Sequence, residues 1–391
     1  MKLAVLTCGM LPIPAVQGGA VENLIDFYLE YNDQHKLHEI TVYSPWDSKI
    51  SNHPALLSDV NHYIYIDVTS LKARTARKLY GYLHHNEYYN HFIEYYFEKV
   101  YSDLKKKNFD YIIIENGAGL SYKLSQRGYK NLVLHMNNEV RKERSAYHDV
   151  VFSGFTKILA ASDYIKRKTA EYYPIEKIQT VHNGIDVKNF SRKEKPTVSR
   201  QDLGLADNDF IIAYSGRINK EKGVSELIDT MLQLTDYPQI KLQIIGGSFF
   251  GNAVNDDAFM RSLKSKAKTI EDKIIFTGFI PYKDVPDYLQ LADIAVLPSM
   301  WEEPFGLTIA EALAAGLPLI TTRSGGIPEI CEGVATIVEK ENVINNLASA
   351  ILDLYEHPDK RKQMSTASIE RAKHFDKEIY AKRIFEALDS L

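Results

Sequence analysis

The stretch that decides the fold runs from Ile294 to Thr321, IAVLPSMWEEPFGLTIAEALAAGLPLIT. Ile294 to Leu297 is a short apolar run of strand length, and Leu317 to Thr321 is a second. The residues between them read as a turn followed by a helix. Pro304 suits a first helical turn, where a missing N–H costs nothing, and Gly316 with Pro318 marks the helix end. Glu303 then sits in the turn before the helix and Glu311 on the helix itself, with seven residues between them. Were the whole segment helical, the two carboxylates would lie roughly 80° apart around the axis. Ahead of a helix start they can point toward one ligand. The plain alternative is that one acid complements the helix dipole while the other is solvated. Against it, Trp301 to Gly306 is too apolar and too rich in Gly and Pro for an ordinary exposed cap.

The same alternation of strand and helix continues outward in both directions. Toward the N-terminus the strand-like runs are Leu3 to Leu6, Glu39 to Tyr43, Tyr63 to Ile66, Tyr111 to Ile114, Leu132 to Leu134, Lys157 to Ala160 and Lys177 to Val181. Beyond the Asn183-Gly184 turn they are Phe210 to Tyr214, Lys241 to Ile245, Ile274 to Thr277, Asp293 to Leu297, Pro318 to Thr321 and Ala335 to Val338. Helical patterns separate them, which implies parallel sheets covered on both faces. At 391 residues the chain is too long for one comfortable core, so the expected fold class is α/β with two Rossmann-like doubly wound domains facing across a cleft. The domain boundary falls after Gly184, before the charged segment Ser191 to Arg200.

A net charge of -4 argues against nucleic acid as a partner. Cys8 and Cys331 are the only cysteines and lack metal-ligand spacing, which suits a reducing cytoplasm. Pro12 and Pro14 interrupt the apolar start before it reaches signal-peptide length, and no window approaches the roughly 20 apolar residues of a membrane span.

Chemistry-bearing residues gather at strand ends. After the first strand, Gly18 and Gly19 open a helix, and free N–H groups there would suit an anion; a loop that needs glycine only for its backbone angles is the alternative. His135, Asn138 and Glu139 follow a buried strand at the carboxyl edge of a sheet, where open α/β sheets bind ligands. In the second half, Ser215 to Gly223 supplies Arg217 and Lys222, a fork and a point charge suited to a diphosphate. Gly246 and Gly278 end two neighbouring strands, so three glycine-bearing ends converge. Asp207, Asn208 and Asp209 form a DxD triplet, but it precedes its strand, the wrong end for a metal-bound diphosphate, and reads as a turn. Lys72, Arg74, Arg77 and Lys78, followed by Tyr88, Tyr89, Phe92, Tyr95, Tyr96 and Phe97, read either as core or as a surface for an anionic membrane or an acceptor.

Taken together, these segments resemble the retaining glycosyltransferases of family 4, which have the GT-B fold. The resemblance rests on GGAVENL at Gly18, HMNNE at His135, HNGID at His182, SGRINKEKG at Ser215 and EEPFGLTIAEALAAGLPLITTRSGGIPEI from Glu302. PAVQGGA and GGSFFG also look like the spore-coat, capsule and exopolysaccharide members. The resemblance implies that Glu303 holds sugar hydroxyls, with Phe305, Gly306 and Leu307 assisting from the backbone, and that Glu311 takes the ribose hydroxyls. It further implies that Arg217 and Lys222 bind the diphosphate, that Gly246 lines the donor site, and that Gly18 and Gly19 close the pocket's far side. His135 would lie near the anomeric carbon, with Asn138 and Glu139 toward the acceptor. The final helix would cross back, giving domains 1–184 with 375–391, and 185–374. The implied donor is a UDP-, GDP- or dTDP-linked sugar, the acceptor a cell-surface glycan or a lipid-linked species, and no metal or other cofactor is needed. The implied location is the cytoplasm, peripheral at the inner membrane face. A nucleotide-sugar epimerase of the same fold and a catalytically silent coat or scaffold protein are the rival readings.

Overall fold

The structure, a computed structural model, describes residues 1–83, 91–139, 146–247 and 258–391, without the side chains of 91–93. Tyr88, Tyr89, the side chain of Phe92 and the GGSFFG segment beyond Gly247 therefore lie outside the described residues. The chain divides into two compact units, Met1–Gly184 with Lys377–Leu391, and Ile185–Asp376. Phe375 and Asp376, which the sequence reading places with the first unit, belong to the second. Ile185 N–H donates to Phe375 O and Ile185 pairs with Asp376, so this end is stitched to the start of its own unit.

The first unit holds seven strands: β1 (Lys2–Leu6), β2 (Glu39–Pro45), β3 (Asn61–Ile66), β4 (Tyr111–Glu115), β5 (Leu132–Met136), β6 (Phe155–Ala160) and β7 (Ile178–Thr180). All neighbours are parallel, in the order β3-β2-β1-β4-β5-β6-β7. The second unit holds six: β8 (Phe210–Ser215), β9 (Ile240–Ile245), β10 (Ile274–Gly278), β11 (Ile294–Leu297), β12 (Leu319–Thr322) and β13 (Thr336–Val338). Their order is β10-β9-β8-β11-β12-β13, again all parallel. Strands buried on both faces read as unbroken apolar runs, because helices cover each side of the sheet.

Each sheet reverses its winding once, between β1 and β4 in the first unit and between β8 and β11 in the second. Such switch points open a crevice beyond the carboxyl ends of the strands, and ligands bind there in open α/β folds. The residues after β8 and β11 are therefore neighbours by topology alone. They are Arg217 and Lys222 on one side and Glu303 on the other.

The basic and aromatic region splits in two. In the helix His91–Leu104, Tyr95, Tyr96 and Phe97 are buried in the first unit's core. The helix before it, Leu71–Leu83, buries only Ala73 fully.

Candidate active site

Glu303 sits on β11's outgoing turn, earlier than a helical cap. The helix begins at Leu307 with Gly306 as its N-cap, so Pro304 lies in the turn and not in the first helical turn as the sequence suggests. The turn is fixed from several directions. Gly326 N–H donates to Glu303 O at 2.8 Å, Gly325 N–H to Glu302 Oε2 at 2.5 Å, and Lys340 pairs with Glu302 at 2.6 Å. A backbone held this firmly releases the residue from helical geometry, and Glu303 as a whole residue is buried at 6% exposure.

Lys222 reaches that carboxylate. Its Nζ donates to Glu303 Oε1 at 2.5 Å, and Ser299 Oγ donates to the same oxygen at 2.8 Å. The ammonium also lies 5.7 Å from the centre of the Trp301 ring. The loop that carries Lys222 is a single 3-10 turn, Lys220–Lys222, capped by the Asn219 side chain on Lys222 N–H. Gly223 follows with φ 70°, and a Cβ there would collide with Pro298 O. Only glycine lets the loop pack this closely against the end of β11. Arg217 is exposed on the same loop, and its guanidinium has no ion-pair partner among the described residues. Its carbonyl accepts from Tyr214 Oη at 3.0 Å.

The glycine-bearing strand ends are joined to one another. Gly216 N–H donates to Ile245 O, Ile218 N–H to Gly247 O, and Gly246 N–H to Gly278 O, all within 3.0–3.1 Å. They form a continuous backbone floor beside Arg217.

Glu311 lies one helical face away, 7% exposed, on the helix Leu307–Ala314. Burial raises its carboxyl to about 7, and the Tyr282 hydroxyl, hydrogen-bonded to it, works in the opposite direction. Phe305 is spent on packing, its ring edge-on to Phe375 at 5.6 Å, so only its backbone can serve a ligand.

In the first unit, His135 is 1% exposed on β5. Its Nδ1 lies 2.8 Å from Glu115 Oε2, and Tyr28 Oη donates to Glu115 Oε1 at 3.0 Å. A carboxylate only accepts, so the ring proton sits on Nδ1, and Nε2 is buried without a hydrogen-bond partner among the described residues. Asn138 is exposed, whereas Glu139 accepts from the Tyr164 hydroxyl. Gly18 and Gly19 have φ 76° and 118°, and Gly19 is the N-cap of the helix Ala20–His35. Glu22 Oε2 occupies the space a Gly19 Cβ would need, and burial raises the Glu22 carboxyl above its ordinary value. The DxD triplet is a turn: Asp209 Oδ2 accepts from Ala206 N–H, and Arg200 binds both Asp207 O and Asp209 O.

Sequence reasoning does not find Ser299, Trp301 or Tyr282. The first two flank Glu303 in the very stretch that decides the fold. Tyr282 carries no signal beyond its place after Gly278 and Pro281, since no spacing rule links it to Glu311.

The second unit thus presents two cations and two buried carboxylates at the switch point of a doubly wound sheet. Cations beside carboxylates have the chemistry to take a phosphorylated, hydroxyl-rich ligand. Residues 197–371 match the family described as Glycosyl transferases group 1. The match lies within the second unit, Ile185–Asp376, and makes that unit similar to glycosyltransferases. The chain is 29% identical over 367 residues to the putative glycosyltransferase YtcC of Bacillus subtilis, covering 90% of this chain and 82% of that protein. It is 27% identical over 390 residues to spore coat protein SA of the same organism, covering 94% and 93%. Among solved structures, Anabaena Alr3699/HepE in complex with UDP and glucose shares the fold, with a TM-score of 0.76 at 21% identity over all of both chains.

Proposed function

We propose that the protein is a retaining glycosyltransferase of family 4 that moves a hexose from a nucleotide-diphosphate sugar to a cell-surface glycan or lipid-linked acceptor. The observation that carries this reading is the 2.5 Å pairing of Lys222 with Glu303 at the β8/β11 switch point. It sets a phosphate-binding cation beside a carboxylate able to take sugar hydroxyls. The UDP and glucose of the Anabaena structure support a nucleotide-sugar donor.

In this reading the bond from the anomeric carbon to the diphosphate oxygen breaks as the acceptor oxygen bonds to the same face. The departing phosphate takes the acceptor's proton. Positive charge grows on the sugar and negative charge on the leaving group, so Arg217, Lys222 and the N-terminus of the helix Leu307–Ala314 act where charge develops. Two side-chain cations serve here without a metal. Glu303 orients the sugar and Glu311 the ribose. Gly246 belongs to the backbone floor of the donor site, with Gly306 and Leu307 offering N–H groups. His135, Asn138 and Glu139 serve the acceptor from the first unit's sheet edge, and Gly18 and Gly19 shape the same edge.

A thermal-shift screen of UDP-, GDP- and dTDP-sugars tests the donor. One of them is expected to raise Tm measurably, since a ligand at 100 times its Kd adds about 2.7 kcal/mol. Indifference to all three classes would remove the reading. The anomeric configuration of the product, followed by NMR, decides retention.

The helix Leu71–Leu83 points to where the acceptor is met. It has no acidic residue, and Leu71, Leu79 and Tyr82 are 76, 58 and 90% exposed. At 3.6 residues per turn these three fall within roughly 80° of one another, flanked by Lys72, Arg74 and Lys78. An apolar strip edged with cations suits the face of an anionic bilayer. Among the described residues no helix is long and apolar enough to cross a membrane, so contact would be peripheral, at the cytoplasmic face. Vesicles containing phosphatidylglycerol should retain the protein at low salt and release it as salt rises, and Leu79→Glu should abolish retention. Equal recovery with neutral and anionic vesicles would assign this helix to another role.

A further inference from the structure

Lys222 and Glu303 form an ion pair at 2.5 Å. The side chains are 24% and 8% exposed, and the Ser299 hydroxyl shares the carboxylate oxygen that Lys222 holds. Lys222 is thus committed to a protein carboxylate at the place where, in the donor reading above, it must serve a diphosphate.

We infer that Glu303 competes with the diphosphate for Lys222, so that the site favours an intact nucleotide sugar over the free nucleoside diphosphate. The inference rests on that donor reading. A free diphosphate that draws Lys222 away leaves Glu303 nearly buried, with Ser299 as its remaining hydrogen-bond donor. Removing one partner of a buried pair is costly because the other charge stays uncompensated. A nucleotide sugar avoids this cost, because its hydroxyls donate to Glu303 as the ammonium turns to phosphate. The free diphosphate lacks those hydroxyls and carries additional negative charge on its terminal phosphate, close to the same carboxylate. After transfer, Glu303 reclaims Lys222 and so assists departure of the nucleoside diphosphate.

Calorimetry with UDP and UDP-glucose, or with GDP and GDP-mannose where the thermal screen selects guanine, tests this. Wild-type protein should bind the sugar-bearing form about tenfold or more tightly than the free diphosphate. Glu303→Gln keeps the shape and removes the charge. It should tighten the free diphosphate about tenfold while weakening the nucleotide sugar, a gain that a merely structural role would not produce. In a Lys222→Met background the same change should no longer tighten the free diphosphate. An unchanged or weakened diphosphate affinity in Glu303→Gln overturns the inference, as does an equal gain with and without Lys222. Should Glu303→Gln not fold, the wild-type comparison decides, and equal affinity for both forms overturns the inference. Wild-type protein that binds neither form shows a different failure, that of the donor reading itself.

Discussion

Arg217→Ala is expected to lower donor turnover about 10²- to 10³-fold, the loss usual when one preorganised donor to a developing charge is removed. The guanidinium follows β8 at the switch point, is exposed, and is not paired with an acid among the described residues. It is therefore free for a ligand, unlike Lys222, which is held by Glu303. Negative charge on the diphosphate grows as the anomeric bond breaks, so the loss should fall on kcat more than on KM. Arg217→Lys restores the charge without the planar fork and should recover only part of the rate. Thermal stability should be unchanged, because among the described residues the guanidinium makes no hydrogen bond or ion pair that would be lost. Near-normal turnover in Arg217→Ala would remove this residue from the chemistry and weaken the whole assignment.

Glu311→Gln is expected to do two opposite things: weaken donor binding strongly and raise the melting temperature above neutral pH. Burial raises the carboxyl from 4.5 to about 7. A group whose folded pKa is raised stabilises the fold below its unfolded value, near 4.5, and that contribution is lost as pH rises through 7. At pH 8 the wild-type protein carries a buried charge whose cost is on the order of 3 kcal/mol, at about 1.4 kcal/mol for each pH unit that separates the folded from the unfolded value. Glutamine removes that cost and still accepts from Tyr282. The gap between the melting curves of variant and wild type should narrow as pH falls below 7 and close below about 4.5, where Glu311 is protonated in both folded and unfolded protein. Donor affinity should run the other way in the wild type. An ionised carboxylate accepts ribose hydroxyls best, so affinity should fall up to tenfold per pH unit below 7, and Glu311→Gln should flatten this profile. Variant and wild-type melts that coincide at pH 8 would show that Glu311 carries no such burden.

The fold is legible in the sequence to an unusual degree because both sheets are parallel and covered. Buried parallel strands cannot alternate, so each appears as a compact apolar run, and every run named in the sequence reading lies on one of the thirteen strands. The donor-side residues are legible for a topological reason. Arg217, Lys222 and Glu303 follow β8 and β11, which the 3-2-1-4-5-6 type of doubly wound order places side by side. What stays hidden are the contacts made by residues with no periodic signature. Tyr282 meets Glu311 through a turn, Ser299 shares an oxygen with Lys222, and Glu115 meets His135 across adjacent strands. Glu22 is the instructive case. A glycine pair before a helix suggests an anion site, but here Glu22, an acid in the first helical turn, lies against Gly19. The pattern gives a place for charge without saying whose charge fills it.

The helix Lys377–Asp389 is made after the second unit, yet it packs in the first. Phe385 meets Tyr28 edge-on at 6.3 Å and stacks on Tyr31 at 6.0 Å, and Tyr380 and Leu388 are buried with it. The intervening unit, Ile185–Asp376, is contiguous and can close as soon as it leaves the ribosome. At 5–20 residues per second its synthesis takes roughly 10–40 s, during which the earlier-made unit waits with the Tyr28 and Tyr31 side of its first helix uncovered. The order of completion is thus the reverse of the order of translation. Loss of this helix would be felt in the earlier-made unit, leaving an apolar seam open to chaperones or to another copy.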